Sequence, residues 1–335
     1  MPRPTLTDIA TAAGLSLATV DRVMNNRGAA SSRSRARVLA AAKAIGYEGL
    51  AAAGFAADLP VHLIFALPKG TNAFIHELGQ HVAEQATLMT GVTATVKTVP
   101  RLDPVALAAS LRALKGKADG IAIVAIDHPA VRDAMRQLID AGMHVVTIAS
   151  DIPSVPHLGY IGLDNAQAGR LAGYVLGRLL PAAPAKIAAF AGSLSYRGHQ
   201  EREMGFRQIL AEEFRHLDLI EIVDVHEDRV EAKAQMAALL AAHPDLAGVY
   251  NAGGATAGIA EAIAENPRMV FVAHDATRGN ESLLLDGRLD AVIDQNARLQ
   301  IREALHTLTH AARNSDYRMV APRVQVIFRE NLPSE

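Results

Sequence analysis

A chain of 335 residues, half of them hydrophobic, is long enough for two or three domains with real cores, which excludes a disordered polymer. Its 33 basic and 35 acidic residues give a formal charge of −2, unevenly spread. Over residues 1–50, Arg3, Arg22, Arg27, Arg33, Arg35, Arg37 and Lys43 oppose only Asp8, Asp21 and Glu48, a net of +4 that leaves −6 for the remainder. A basic head on an acidic body suits nucleic-acid contact through the head alone. With no cysteine, disulfides and thiolate metal sites are excluded, which fits a reducing compartment. Residues 1–8 contain no apolar run of the signal-peptide kind. The longest apolar stretch, near Ile121–Ile126, is too short to span a bilayer, so a cytoplasmic protein is expected.

In chain order, residues 5–47 predict three short helices. The first runs from Leu6 to Ala13, capped by Thr5 or Thr7 and broken by Gly14. The second is capped by Ser16 and extends to Met24, where Asn25-Asn26-Arg27-Gly28 ends it. The third starts at Ser31 or Ser32 and reaches Ile45 before Gly46. Ile9, Ala10, Ala13, Leu15, Val20, Val23, Val38, Leu39 and Ala42 supply a common apolar face. Two short helices around a tight glycine turn form a helix-turn-helix. Residues 48–60 are rich in Ala and Gly and end at Pro60, a linker with weak helical tendency.

From residue 61 onward, strand-like apolar runs at 61–67, 92–98, 119–125, 144–149, 185–191, 217–225, 246–250, 269–273 and 289–293 mostly alternate with helical stretches. Such alternation predicts an α/β architecture of parallel sheets flanked by helices. Nearly 270 residues is long for one sheet, so two lobes are expected. Ligands of open α/β sheets bind beyond the carboxyl ends of the strands, which directs attention to residues just after each run.

In the head, a helix entering the major groove presents its side chains from its first turns. Here these are Leu17, Ala18, Thr19, Asp21 and Arg22. Arg22 is suited to a guanine edge, and Leu17 and Ala18 to thymine methyls. Thr5, Ser16, Thr19, Asn25 and Ser31 sit near helix ends and are suited to phosphate oxygens.

The run Thr5-Leu6-Thr7-Asp8-Ile9-Ala10, followed by Ala13-Gly14-Leu15-Ser16 and Thr19-Val20-Asp21-Arg22-Val23-Met24-Asn25, resembles the N-terminal signature of the lactose-repressor (LacI/GalR) family. Ala30-Ser31, Ser34-Arg35, Arg37-Val38 and Gly46-Tyr47 continue the likeness. Asp21 departs from it, standing where the family usually has serine; a partner in Arg22 or Arg27 would offset its charge. The linker departs as well. The family's Pro-Asn and Ala-Arg-x-Leu, which form a hinge helix in the minor groove, are missing, leaving Leu50 or Phe55 as the available apolar wedge.

For the rest of the chain the resemblance implies a two-lobed body similar to ribose-type periplasmic binding proteins, with a ligand cleft between lobes. The division is then a DNA-binding unit at 1–47, a hinge at 48–60 and an effector-binding and dimerisation unit at 61–335. Lobe 1 is expected at about 61–162 and 295–318, and lobe 2 at about 163–294 and 319–330. Asn72 and Phe74 follow the first strand and are suited to a sugar hydroxyl and a sugar C–H face. Ser150 or Asp151 follows the fourth run. Asp164, in Asp164-Asn165-Ala166-Gln167-Ala168-Gly169, is read as a helix cap. Arg202, three residues before Gly205-Phe206, matches the family's ligand arginine, with Arg197 or His199 in support. Asp275 matches the family's ligand aspartate, and Gln295 lies where the chain crosses back. Gly253-Gly254 replaces the Asn-Asp found in many relatives, so the ligand is expected to differ from simple ribose-like cases.

Two rival readings account for less. Gly253-Gly254-Ala255-Thr256-Ala257-Gly258, opening a helix after a strand, evokes a nucleotide-dependent dehydrogenase, but its glycine spacing is wrong and it comes late in the chain. A periplasmic-type sugar-binding protein explains the body but not the head. No Walker motif, nucleophile elbow, triad or metal-ligand spacing is evident. The expectation is a non-enzymatic transcriptional regulator, a repressor of a carbohydrate-related operon. It needs no cofactor or metal, works as a homodimer on a pseudo-palindromic operator, and is controlled by a sugar, polyol or sugar acid.

Overall fold

The computed structural model describes residues 3–25, 30–47, 59–264 and 269–332. Its first three helices are α1 (Leu6–Ala13), α2 (Leu17–Met24) and α3 (Ser32–Ala44). Their starts follow from side chains that satisfy otherwise orphaned N–H groups. Thr5 rather than Thr7 caps α1, and the Thr5 backbone N–H donates back to Asp8 Oδ2 at 2.7 Å, closing a capping box. Ser16 caps α2, and Ser31 rather than Ser32 caps α3. Gly14 ends α1 in the left-handed region at φ 59°, and Arg37 Nη2 of α3 donates to Ala13 O at 2.6 Å, fixing the turn. Ile9, Val20, Val23, Val38, Leu39 and Ala42 are buried together, and Leu15 is partly buried against them. Leu59 joins this cluster. The linker expected at 48–60, with Leu50 and Phe55, lies outside the described residues up to position 58.

The body has two sheets. The first contains β1 (Val61–Pro68), β2 (Val92–Val99), β3 (Gly120–Ile123), β4 (His144–Ile148) and β5 (Tyr160–Ile161). All are parallel, in the order β2-β1-β3-β4-β5. Between them run α4 (Ala73–Ala86), α5 (Pro104–Arg112) and α6 (Pro129–Asp140). The chain then forms α7 (Asn165–Leu179), β6 (Ala185–Ala191), α8 (Arg197–Glu213), β7 (Leu217–Asp224) and α9 (Arg229–Ala242). It continues through β8 (Leu246–Asn251), α10 (Thr256–Ile263), β9 (Val270–His274), α11 (Arg278–Leu285) and β10 (Ala291–Asp294). Helix α12 (Ala297–Ala312) and strand β11 (Gln325–Ile327) follow. The second sheet has the order β11-β10-β9-β8-β6-β7, with β11 antiparallel to β10. Both expected classes of element are present. Strands β5 and β11, of two and three residues, are not among the expected runs because so few residues carry no measurable alternation.

Strand order reverses between β1 and β3 and again between β6 and β8, so each sheet has a switch point where helices diverge and leave a crevice. Helix α12 returns to the first sheet, where Ile301, Ala304, Leu305 and Leu308 are fully buried beside Leu63, Phe65 and Leu78. This return places Gln295 and Asn296 at the crossover between the sheets.

Helices α7 and α8 cross at glycines. A Cβ on Gly205 would lie 2.0 Å from Ala166 O, and one on Gly169 would lie 1.9 Å from Arg202 O. That backbone contact explains the glycines of both body motifs and fixes the start of α8, which carries Arg202. Gly205→Ala is expected to push the helices apart and cost about 1–3 kcal/mol, visible as a lower urea midpoint. Gly279→Ala, which meets nothing within 4 Å, is the control and should be neutral or stabilising.

Candidate functional site

Two surfaces carry the candidate residues. On the head, Val20, Val23 and Met24 turn into the core, which leaves Leu17 (49 % exposed), Ala18 and Arg22 on the open face of α2. Ser16 Oγ and Thr19 Oγ1 sit 2.8 Å apart at its amino end. Thr5, Asn25 and Ser31 are exposed at the neighbouring helix ends. The Asp21 carboxylate accepts from Asn25 Nδ2 at 2.7 Å; no bond joins it to Arg22, and Arg27 lies outside the described residues. Arg22 itself is exposed and makes no hydrogen bond to the described residues.

The second surface is the crevice at the carboxyl ends of both sheets. Asn72, Phe74, Ser150, His199, Arg202, Asp275 and Gln295 all line one inner cavity of about 40 Å³, together with Tyr196 and Glu227. Asn72 is the N-cap of α4: its Oδ1 accepts from Ile75 N, which forces its Nδ2 the other way. Ser150 is buried, and its Oγ has no hydrogen-bond partner among the described residues. Arg202, 3 % exposed, donates from Nε to Asn165 Oδ1 at 2.8 Å and from Nη1 to Ala252 O at 2.9 Å. These bonds lock the guanidinium plane, and Nη2 makes no hydrogen bond to the described residues. Asp275 stands in the left-handed region at φ 70° and accepts from Gln295 Nε2 at 2.7 Å. Gln295 is in turn held by Gln300 Nε2 at 3.1 Å from its carbonyl oxygen.

Two expected residues are placed elsewhere. Asp151 turns away from the cavity to Thr147 Oγ1 at 2.6 Å and His157 Nε2 at 3.1 Å. Burial acts to raise its carboxyl, but the His157 and Thr147 hydrogen bonds outweigh this and hold it below its ordinary value. Arg197 pairs with Glu201 at 2.6 Å along the outer side of α8. Asp164 caps α7 by accepting from Gln167 N at 2.9 Å.

Electrostatically the cavity is tuned by burial. Asp275 is pushed up to about 6 because burial penalises its charge, which Arg202 and the Gln295 hydrogen bond only partly offset. Burial and then the Arg202 charge hold His199 and His274 below the ordinary histidine value, so both are neutral at pH 7. His274 Nε2 lies 2.8 Å from Tyr250 Oη, and Tyr250 stacks on Phe206 with centroids 4.5 Å apart, a stiff floor beneath Asp275.

Sequence reasoning missed Glu227 and Arg101. Glu227 is 6 % exposed; it accepts from Asn72 Nδ2 at 2.6 Å and from Arg101 Nη1 at 3.2 Å. Both follow strands, β7 and β2, so the rule of looking beyond the carboxyl ends applied to them too. Beside the inner cavity lies a chamber of about 460 Å³ lined by Thr71, Gly254, Thr256, Thr277 and Asn280; Asn72 and Glu227 border both spaces. Among the described residues no cluster of His, Asp and Glu is arranged to hold a metal, and no helix is long and apolar enough to cross a membrane.

A helix-turn-helix joined to two parallel α/β lobes around a polar cleft defines a binding-protein body carrying a DNA-recognition head. The family of bacterial regulatory proteins of the lacI type matches residues 5–49, and the periplasmic binding protein domain matches residues 63–316. The chain therefore belongs to the LacI family of regulators, with a periplasmic-binding-protein-type body; the family is one of transcription regulators rather than enzymes. Among curated relatives, it is 27 % identical over 213 residues to the HTH-type transcriptional regulator DegA of Bacillus subtilis, covering 63 % of this chain and 61 % of DegA. It is also 27 % identical over 172 residues to the ribose import binding protein RbsB of Escherichia coli, covering 50 % of this chain and 57 % of RbsB. The matches thus span about three-fifths of the relatives' lengths. Among solved structures, a solute-binding protein from Burkholderia graminis in complex with D-arabinose superposes with a TM-score of 0.76 at 21 % identity, over 82 % of this chain and 97 % of that one. That likeness concerns the fold.

Proposed function

We propose that this chain is a cytoplasmic repressor of a carbohydrate-related operon, controlled by a sugar, polyol or sugar acid bound between its lobes. Residues 1–47 act as the DNA-binding unit, 48–60 as the connector and 61–335 as the unit for effector binding and dimerisation. Two copies bind a pseudo-palindromic operator, one head per half-site. The observation that carries the reading is one polar cleft holding a locked guanidinium, a buried carboxylate and an orphaned hydroxyl, in the same chain as an open recognition helix. Arg202, Asp275, Gln295, Asn72 and Ser150 form the donor and acceptor set a polyol needs, and Phe74 offers the apolar face of a sugar ring its complement. Ligand-driven closure shifts the dimer between arrangements that space the heads differently, a coupling of about 1–3 kcal/mol in typical cases.

The test has two steps. The purified chain is used to select sites from a genomic library, and a pseudo-palindromic consensus near a carbohydrate operon is expected. Thermal denaturation is then followed with pentoses, hexoses, polyols and sugar acids. A ligand at a hundred times its dissociation constant stabilises by roughly 2.7 kcal/mol, and the same compound should change operator affinity. Failure to select any site removes the DNA-binding reading, and a flat sugar screen removes the carbohydrate reading.

A further inference from the structure

The loop after β7 is unusual in its backbone. His226 and Glu227 are consecutive non-glycine residues in the left-handed region, at φ 49° and 57°, a conformation that costs free energy unless contacts compensate it. His226 N donates to Asp224 Oδ1 at 3.1 Å within the second lobe, but the hydrogen bonds to the Glu227 carboxylate come from the first lobe. Arg101, at the end of β2, donates from Nη1 to His226 O at 2.7 Å and to Glu227 Oε2 at 3.2 Å. Asn72 Nδ2 reaches Glu227 Oε1 at 2.6 Å. Space for the Glu227 side chain is made by glycines: a Cβ on Gly192 would lie 3.0 Å from Glu227 Cγ, and one on Gly254 3.1 Å from Asn72 Nδ2 and 3.5 Å from Glu227 Cβ. Gly192 and Gly254 thus leave open the path by which Glu227 crosses the cleft.

We propose that Arg101 and Glu227 form a cross-lobe clasp that sets the balance between open and closed lobes and positions Asn72 for the ligand. The assignment of a ligand to Asn72 rests on the effector reading above; the clasp itself does not. Because Asn72 Oδ1 is committed to capping α4, the carboxylate orders the Nδ2 end, and the second hydrogen of that amide stays available to the cleft. Opening the lobes breaks the charge-assisted bonds that Arg101 and Asn72 make to Glu227 and the bond of Arg101 to His226 O, so the pair favours closure against the strain of the loop.

The experiment exploits the absence of cysteine from the chain. Spin labels are attached to Gln80→Cys on α4 and Gln235→Cys on α9, both exposed, and the inter-lobe distance distribution is measured on the full chain without DNA or sugar. Arg101→Ala and Glu227→Ala are each expected to raise the ratio of long to short distances roughly tenfold, the effect of losing a hydrogen bond to a charged group. Arg101→Lys and Glu227→Gln should fall between these and the parent. Arg101 is a partly exposed loop residue, so Arg101→Ala decides the matter if Glu227→Ala does not fold by circular dichroism. Unchanged distances in a folded Arg101→Ala protein overturn the clasp. Because no ligand or operator enters the measurement, that result leaves the proposed function standing, just as a failed operator selection leaves the clasp standing.

Discussion

Replacing Asp275 by asparagine is expected to abolish the ligand response while making the unliganded protein more stable at pH 7. Asparagine is the right probe because it tolerates the left-handed backbone that Asp275 adopts, whereas alanine would add strain. On the ligand side, a carboxylate accepting from two hydroxyls contributes about 1.5–3 kcal/mol per charge-assisted bond, so affinity should fall at least ~100-fold. On the stability side the sign is opposite. Asp275 has a folded value of about 6 against an ordinary 3.8, so the native state favours its neutral form. The stability linked to that proton is fully present below about pH 4 and is lost as pH rises through 6, a loss on the order of 3 kcal/mol. Asparagine never ionises. The stability of Asp275→Asn relative to the parent should therefore climb between pH 4 and 7 and level off above. Urea titrations at several pH values measure it; a gap that does not change with pH would show that burial does not raise the Asp275 carboxyl. Operator affinity should be unchanged by the substitution, since the residue lies in the body.

The order of effects explains what the sequence made legible. Helix starts depend on one side chain and three residues of backbone, so Ser16 could be read directly, and only the choice between Thr5 and Thr7 or Ser31 and Ser32 required coordinates. Strand runs of four or more apolar residues were visible, and with them the expectation that ligand groups follow strands. Whether a residue there faces the cleft is decided by one peptide unit: Ser150 enters the cavity while its neighbour Asp151 turns to His157. No local pattern encodes that choice, which depends on where His157 packs after a bend. Glu227 and Arg101 are a clearer case of tertiary information. Their partners lie 126 positions apart in the chain, and their meeting requires both sheets, both switch points and the gaps left by Gly192 and Gly254. Likewise, the glycines of the two body motifs are recognisable in sequence, but the reason for them is a backbone contact between α7 and α8.

Arg22→Ala should separate reading of bases from attraction to phosphate. Arg22 stands on the open face of α2, within reach of a groove that receives that helix, and no described residue restrains it. A guanidinium on a guanine edge discriminates by about 1–3 kcal/mol, and in the proposed dimer two heads on one operator double this to roughly 2–6 kcal/mol. Specific affinity should thus fall by one to four orders of magnitude, while binding to random duplex falls little. The salt dependence sharpens the distinction. A base-reading arginine releases no counterion from a phosphate, so the slope of log affinity against log salt should stay the same in the variant; an arginine that neutralises a phosphate would reduce it by about 0.9 per contact. Fluorescence anisotropy on selected operator and scrambled duplex, across a range of salt, gives both numbers. Equal losses on the two duplexes with a shallower slope would place Arg22 on the backbone and leave base reading to Leu17, Ala18 and Thr19. That outcome would also give the Asp21–Asn25 bond a different meaning, as the contact that holds a carboxylate back from the phosphates flanking Arg22.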